Sequence, residues 1–319
     1  MSTDTEQPSE TVSPAVEEKL KSIQRARRRR WIFAGGALGI LLFAFNYALT
    51  MVGFSIHELF YYAPFFAEAL DEYFPRTTYF GFLPFIDFMQ YVDFIVEQNL
   101  FHEAGITLAI GFGGTILGFP LALLFAVLGS GRVTPFPFNF LFRGMMSSIR
   151  AIPALVWALI YVPLGGVSPF TATLAVATDT VGNLGRLFTD ELEEIEDGPI
   201  EAIRTTGAGR IQVIVFGMLS QVYTPFIAWT LYIFEINIRI AVTLGIIGGG
   251  GIGLILNTQQ RLFAYTEMMA TILVILLLII TVEIISQRTR SYIREGDEAM
   301  GIVELLKGFP KRMAESLAK

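Results

Sequence analysis

Two stretches and a few isolated charges in this sequence combine residue types that could do chemistry. Residues 185–222, GRLFTDELEEIEDGPIEAIRTTGAGRIQVIVFGMLSQV, gather carboxylates ahead of Pro199 and place glycines at 207 and 209. Proline suits the first turn of a helix, so Ile200–Thr206 reads as a short helix that Gly207 and Gly209 end, because glycine accepts positive φ. A second helix resumes near Arg210. A charged helix–turn–helix of this kind is either a rigid knob on which another protein can push or a solvated acidic loop. Residues 231–253, LYIFEINIRIAVTLGIIGGGGIG, hold Glu235, Asn237 and Arg239. Glu235 and Arg239 are four apart, so one helical face can pair them, as a structural ion pair or as an anion-attracting mouth. Gly248, Gly249, Gly250, Gly251 and Gly253 then bare the backbone in an apolar run, which is costly in lipid unless it lines a protein or water-filled cavity. They serve either a pore wall or close packing between helices. Asp179 stands alone in an apolar segment and is a functional suspect on cost alone. Glu283 lies near the end of the last apolar run, within reach of Arg288 or Arg290.

Other chemistries lack their residues. The chain has no cysteine and only two scattered histidines, His57 and His102, so neither a disulfide framework nor a metal-ligand cluster is expected. No G-x-x-x-x-G-K-[ST] is present to cradle nucleotide phosphates. Gly248, Gly250 and Gly253 satisfy G-x-G-x-x-G, but the dinucleotide fingerprint needs a preceding strand, a following helix and a downstream acid, which this context does not supply. No catalytic residue, bound cofactor or metal is expected, and nothing points to a nucleic-acid partner.

The elements that must position these residues are membrane helices. Hydrophobic residues make up 53% of the 319 and charged residues 16%, too little charge to coat a soluble particle of this size. Apolar runs at 31–54, 104–128, 144–164, 167–187, 213–235 and 266–286 predict six transmembrane helices with both termini on one side. Each run is near the roughly 20 residues that cross a bilayer. The first follows RARRRR (Arg25 to Arg30) and is too long and too far from the N-terminus for a secretory signal. Residues 1–24 are polar and read as a tail unable to order itself, within a disordered, basic-ended cytoplasmic segment 1–30. Residues 288–319 form a second cytoplasmic tail, and the polar loop occupies 188–212. Of the 23 Lys and Arg, 20 fall in segments this layout places in the cytoplasm; only Arg76, Arg239 and Arg261 do not. Residues 55–103 carry eight acids, one base and many aromatics. They form an extracytoplasmic segment that is an interfacial aromatic belt or a docking surface.

The loop resembles the EAA loop of ABC importer permeases: a glutamate and two small residues, a glycine, then I-x-L-P. Glu201, Ala202, Gly207 and Leu219 match; Ile203, Gly217 and Ser220 depart from it, leaving the start of the next helix less sharply set. RAIPALVWALI (150–160), residues 185–208, LYIFEINIR (231–239) and LGIIGGGGIG (244–253) together resemble phosphonate-type ABC permeases over residues 100–290. The resemblance implies an all-α polytopic fold, with the 31–54 helix added to a five-helix MetI-like core over 104–287. It implies ATPase coupling through Glu201, Ala202, Arg204, Gly207 and Leu219, and a translocation path along Glu235, Asn237, Arg239, Gly248–Gly251 and Gly253. Asp179 occupies a place where that family often has histidine. The implied partners are an ATP-binding subunit that uses ATP and Mg, an extracytoplasmic substrate-binding protein holding most of the selectivity, and a second permease copy, all in the cell membrane. The cargo would be phosphonate or a related small oxyanion such as phosphite or phosphate. Two readings of another class stay open on the residues: an ion-coupled secondary transporter using Asp179, and a scaffold whose loop recruits a partner.

Overall fold

The structure, a computed structural model, describes residues 14–79 and 83–295. The chain divides after Glu68 into two compact units. In the first, helix α1 runs Pro14–Val52, and its stretch Ile23–Val52 is long and apolar enough to cross a membrane. Residues 14–24 are therefore helical, contrary to the expected tail; residues 1–13 lie outside the described residues. Ala, Glu, Lys, Leu and Arg dominate 15–30 and are good helix formers. Extending a helix already begun in the apolar stretch needs no new nucleus.

Helix α2 (Ile56–Tyr73) follows, and the second unit begins within it. The acidic, aromatic segment then makes an antiparallel hairpin, β1 (Arg76–Tyr79) with β2 (Leu83–Ile86), and helix α3 (Phe88–Glu97). The bundle proper comprises α4 (Leu100–Gly129), α5 (Phe138–Ala151), α6 (Ala154–Gly165), α7 (Pro169–Glu194) and α8 (Asp197–Thr205). It continues with α9 (Arg210–Gln212), α10 (Ser220–Leu244), α11 (Ile252–Leu262) and α12 (Tyr265–Glu295). Four of the described helices, counting Arg210–Gly249 as one, are long and apolar enough to span a membrane, and α5 with α6 makes a fifth if they are one span. The sixth expected span is α7. It is long enough but polar, because it packs against α4, α5, α6 and α10 and shows its polar residues to protein rather than lipid.

Two spans differ from the sequence expectation. Residues 144–164 are not one helix: α5 and α6 meet at 90°. Pro153 lacks an N–H and excludes the α conformation from Ile152, which is extended at φ −100°, ψ 117°. The expected helix 213–235 is longer, running Arg210–Gly249 through π-helical turns at Val213–Leu219 and Gly245–Gly249. Helix α12 likewise continues to Glu295, past the expected boundary at 287; residues 296–319 lie outside the described residues.

Small residues set the central contact. On α4, a Cβ at Gly114 would lie 2.4 Å from Val176 Cγ1 of α7, and one at Gly118 would lie 2.6 Å from the Ala177 carbonyl oxygen. Gly114 and Gly118 are a G-x-x-x-G pair, the spacing that lets two membrane helices touch backbones. Across this seam, Asn237 of α10 is fully buried and its Nδ2 donates to Thr115 Oγ1 of α4 and to Thr180 Oγ1 of α7, both at 2.8 Å. Phe188 stacks on Phe226 with ring centroids 3.9 Å apart, closing the same three-helix core farther along.

Replacing Gly118 by Leu must separate α4 from α7. We expect a loss of about 1–3 kcal/mol, read as lowered thermal unfolding of the purified protein in detergent. Gly105→Leu, whose Cβ meets nothing within 4 Å, serves as control. Equal melting of the two variants would contradict a packed seam.

Candidate functional site

The polar loop folds as a short amphipathic helix on the end of the bundle. Asp197 lies in the first turn of α8 and Arg204 in the last, each the favourable sign for its end of the helix dipole. Pro199 falls within that first turn. Ile200 is buried and Ile203 packs beside it on the core. This inward face leaves Glu201, Ala202 and Arg204 exposed on the other. The turn follows at Gly207, with φ +79°, its N–H donating to the Arg204 carbonyl at 3.1 Å. Gln212 accepts from the Gly209 N–H at 2.8 Å and so caps the next helix. Gly217 makes room beneath α8: a Cβ there would sit 3.4 Å from Ile203 Cδ1. The structure thus brings Glu201, Ala202, Arg204 and Gly207 onto one exposed knob. Leu219 does not share that surface; it is half-buried in the core.

What holds the knob is a set of three arginines: Arg132 of the α4–α5 connection, Arg143 of α5 and Arg210 at the start of α9. Arg143 donates through Nε to the Gly129 carbonyl at 2.8 Å and through Nη2 to Glu193 Oε1. Arg132 donates twice to the Glu193 carbonyl, at 3.1 and 3.0 Å, and through Nη1 to Asp197 Oδ1 at 2.5 Å. On the far side of the turn Arg210 donates to the Val133 carbonyl. The short segment 130–133 therefore grips both flanks of α8. Gln221 adds a reciprocal pair with the backbone of Glu196, at 3.2 and 3.3 Å. In the sequence Arg132, Arg143 and Arg210 mark only sidedness; nothing in their spacing reveals partners about 50 to 80 residues away.

Farther into the bundle, the charges pair differently from the sequence expectation. Glu235 and Arg239 do not pair with each other, and they sit inside the long helix rather than at its end. Arg290 Nη2 of α12 lies 2.8 Å from Glu235 Oε1, out of line for a hydrogen bond, so the attraction is coulombic. Arg239 Nη2 lies 3.7 Å from Glu283 Oε2. Glu283, expected to reach Arg288 or Arg290, instead faces Arg239 and accepts from Gln287 at 3.0 Å. A helix packed alongside offers these side chains partners that their own helix, with its fixed i,i+4 offset, presents less well.

Asp179 also has company. Asn183 Nδ2 donates to Asp179 Oδ2 at 2.9 Å, while Asn183 Oδ1 accepts from Arg150 Nε at 3.1 Å. These three, with Arg186, Asp190 and Asn237, line a cavity of about 380 Å³ between α5, α7 and α10. The glycine run lies elsewhere, in the turn joining α10 to α11. Gly248, Gly250 and Gly251 have φ of +104°, +85° and +70°. A Cβ at Gly251 would strike Thr107 Oγ1 at 2.3 Å, and one at Gly253 the Val242 carbonyl at 2.1 Å. Gly249 is buried against Leu244 and Ala172. These glycines therefore have a steric reason to be glycine that requires no pore.

The family profile described as binding-protein-dependent transport system inner membrane component matches residues 114–293. The chain is 33% identical over 202 residues to the putative phosphite transport system permease protein HtxC of Stutzerimonas stutzeri, spanning 62% of this chain and 72% of that one. It is 32% identical over 194 residues to the phosphate-import permease protein PhnE of Mycolicibacterium smegmatis, covering 60% of this chain and 36% of that protein. The putative cryptic phosphonate transport system permease protein PhnE2 of Escherichia coli K12 is 38% identical over 119 residues, 37% of this chain and 98% of its own. Among solved structures, an inward-facing MetNI methionine ABC transporter aligns with a TM-score of 0.54 at 18% identity, over 64% of this chain and 98% of that one, which speaks to the fold.

Deleting the Glu193 carboxylate leaves Arg143 without its carboxylate partner. Both side chains are about one-third exposed, so Glu193→Ala should cost only about 1–2 kcal/mol. Asp197→Ala, at a mostly exposed partner, should cost under about 0.5 kcal/mol. Thermal melting and limited proteolysis of the α4–α5 connection check both. A larger loss from Asp197→Ala would show that the grip is centred elsewhere.

Proposed function

Because the chain belongs to the family of binding-protein-dependent transport system inner membrane components, we propose that it is the permease subunit of an ATP-driven importer of phosphonate, phosphite or phosphate. The observation that carries this is the exposed knob of Glu201, Ala202, Arg204 and Gly207, mounted rigidly on the ends of the bundle helices that surround the polar cavity. A rigid protrusion transmits displacement, whereas a solvated loop would dissipate it. Similarity to three permeases whose names specify phosphite, phosphate or phosphonate supports the cargo class.

Energy in this reading comes from a separate ATP-binding subunit that uses ATP and Mg and grips the knob, and an extracytoplasmic receptor delivers the anion. A second copy of this chain completes the path, and both termini face the cytoplasm. Movement passes from α8 along two routes. One runs through the backbone of Arg210–Leu244 into α10. The other runs through Arg132, Arg143 and Glu193 into α4, α5 and α7. Both routes converge on the helices that carry Asn237 and Asp179, so a shift of the knob alters the spacing of the polar cavity's walls. Leu219 acts from below, as packing that keeps the loop seated. Glu235 and Arg239, paired to α12, hold the wall of the path rather than meet the cargo.

Two substitutions test the coupling. Glu201→Lys inverts the charge on the exposed face, and Gly207→Pro forces φ near −65° where the turn needs +79° and removes an N–H that is in use. Each should reduce uptake per ATP hydrolysed at least about tenfold while membrane insertion stays intact, and Glu201→Lys should also melt near wild type. Proteoliposomes holding the importer with its ATPase and receptor provide the assay. Unchanged ATP-driven uptake in both variants would refute the coupling role, and uptake driven by an ion gradient without ATP would refute the importer reading.

A further inference from the structure

Beside the cavity between α5, α7 and α10 lies a buried acceptor that the described residues leave unused. Thr115 Oγ1 donates its proton to the Gly111 carbonyl at 2.7 Å, and Thr180 Oγ1 donates to the Val176 carbonyl at 2.7 Å. With their protons committed, both hydroxyl oxygens face Asn237 purely as acceptors. That fixes the orientation of the Asn237 amide: its NH2 must point at the two threonines, and its Oδ1 must point away from them. Asn237 is fully buried, and its Oδ1 has no hydrogen-bond partner among the described residues. An unpaired buried acceptor is costly, and this one is closed to solvent here, so a donor from outside the chain reaches it only when the helices around it part.

Arg150, on the same cavity, supplies the complementary charge. Its Nε is held by Asn183 Oδ1, and Asn183 passes the interaction on to Asp179 Oδ2. Asn183 thus stands between Arg150 and the carboxylate and orients the guanidinium while leaving both Nη nitrogens for an anion. Arg186 is committed through Nε to Asp190 Oδ2 at 3.1 Å, and Asp179 and Asp190 balance the two arginines when the cavity is empty. The volume, about 380 Å³, holds a tetrahedral oxyanion together with several waters of about 30 Å³ each.

We propose that this cavity is a recognition station for small phosphorus oxyanions that still carry an O–H: the guanidinium of Arg150 takes the anionic oxygens, and the Asp179 carboxylate, together with Asn237 Oδ1 once the helices part, accepts a hydrogen bond from the remaining O–H. Phosphite, phosphonates and phosphate carry such a proton on part of their population at a pH of about 6 to 7, because their second ionisation falls near that range, as that of a phosphate monoester, at about 6, does. Sulfate carries none, so it can meet Arg150 but only oppose Asn237 and Asp179. The proposal deepens the importer reading and rests on it for the cargo class. It also moves part of the selectivity from the external receptor into the membrane chain.

The absence of cysteine makes a direct test available. Tyr232 lines the cavity, is partly exposed, and is given no contact with the anion here. The full-length Tyr232→Cys chain in nanodiscs is alkylated with a maleimide, with or without millimolar phosphite, methylphosphonate or sulfate. Phosphite and methylphosphonate should slow labelling about tenfold, the effect of one good charge-assisted contact, and sulfate less than about twofold. Adding Arg150→Gln should abolish all protection. Adding Asn237→Leu should make phosphite no better than sulfate. Unprotected labelling rates and melting temperature establish that each variant is folded; where Asn237→Leu is not, Asn237→Asp, which keeps an acceptor, should retain the preference for phosphite over sulfate, and loss of that preference overturns the proposal. Equal protection by sulfate and phosphite, or protection that survives Arg150→Gln, overturns the proposal. ATP-driven phosphite uptake by the wild-type importer is measured in parallel. Uptake without any protection overturns the cavity and leaves the importer standing, whereas protection without uptake supports the cavity and overturns the importer.

Discussion

The contact of α4 with α7 through Gly114 and Gly118 is the constraint from which the other arrangements follow. Lipid supplies no hydrogen bonds, so a polar helix such as α7 survives at membrane depth only if its neighbours come close enough to satisfy it. Backbone approach at Gly118 brings Thr180 within reach of an amide that also touches Thr115. Asn237 then joins α4, α7 and α10 into one unit. Without the glycines, the separation added by a single side chain would exceed the slack in two 2.8 Å bonds.

That unit carries polar groups of two kinds. Those at its knob-bearing end are satisfied many times over: Glu193 alone engages Arg143, the Gly131 N–H and, through its carbonyl, Arg132. Redundancy of this kind stiffens a joint, because no single thermal excursion breaks all the bonds at once. Those in the cavity are satisfied incompletely, with Asn237 Oδ1 unpaired and the Arg150 guanidinium held at one nitrogen. A stiff end joined to an under-satisfied centre suits a machine that receives force at one place and binds cargo at another.

The sequence carried much of this through local rules. Hydropathy and the distribution of Lys and Arg identified a multi-pass membrane protein, and α8 with its glycine turn was legible because Pro199, Ile200, Ile203 and Gly207 obey rules that act within a few residues. The bend at Pro153 follows from equally local chemistry, yet the apolar run across it masked the bend. The helical start at Pro14 follows from helix propensity rather than from the polar composition of that stretch. The long run Arg210–Gly249 continues past Glu235 and Arg239 because α12 places an opposite charge beside each, which no local rule reveals.

The sequence by itself determined which segments meet lipid, where the knob turns and which family the chain resembles, since each depends on composition or on neighbours along the helix. Only the tertiary structure decided that Glu235 faces Arg290 instead of Arg239, that Arg132 and Arg143 secure the knob, that the glycine run closes a turn, and that Asn237 keeps an idle acceptor beside Arg150. Those outcomes depend on which helix lies against which, and a pairing across 50 to 120 residues leaves no periodic trace in either partner.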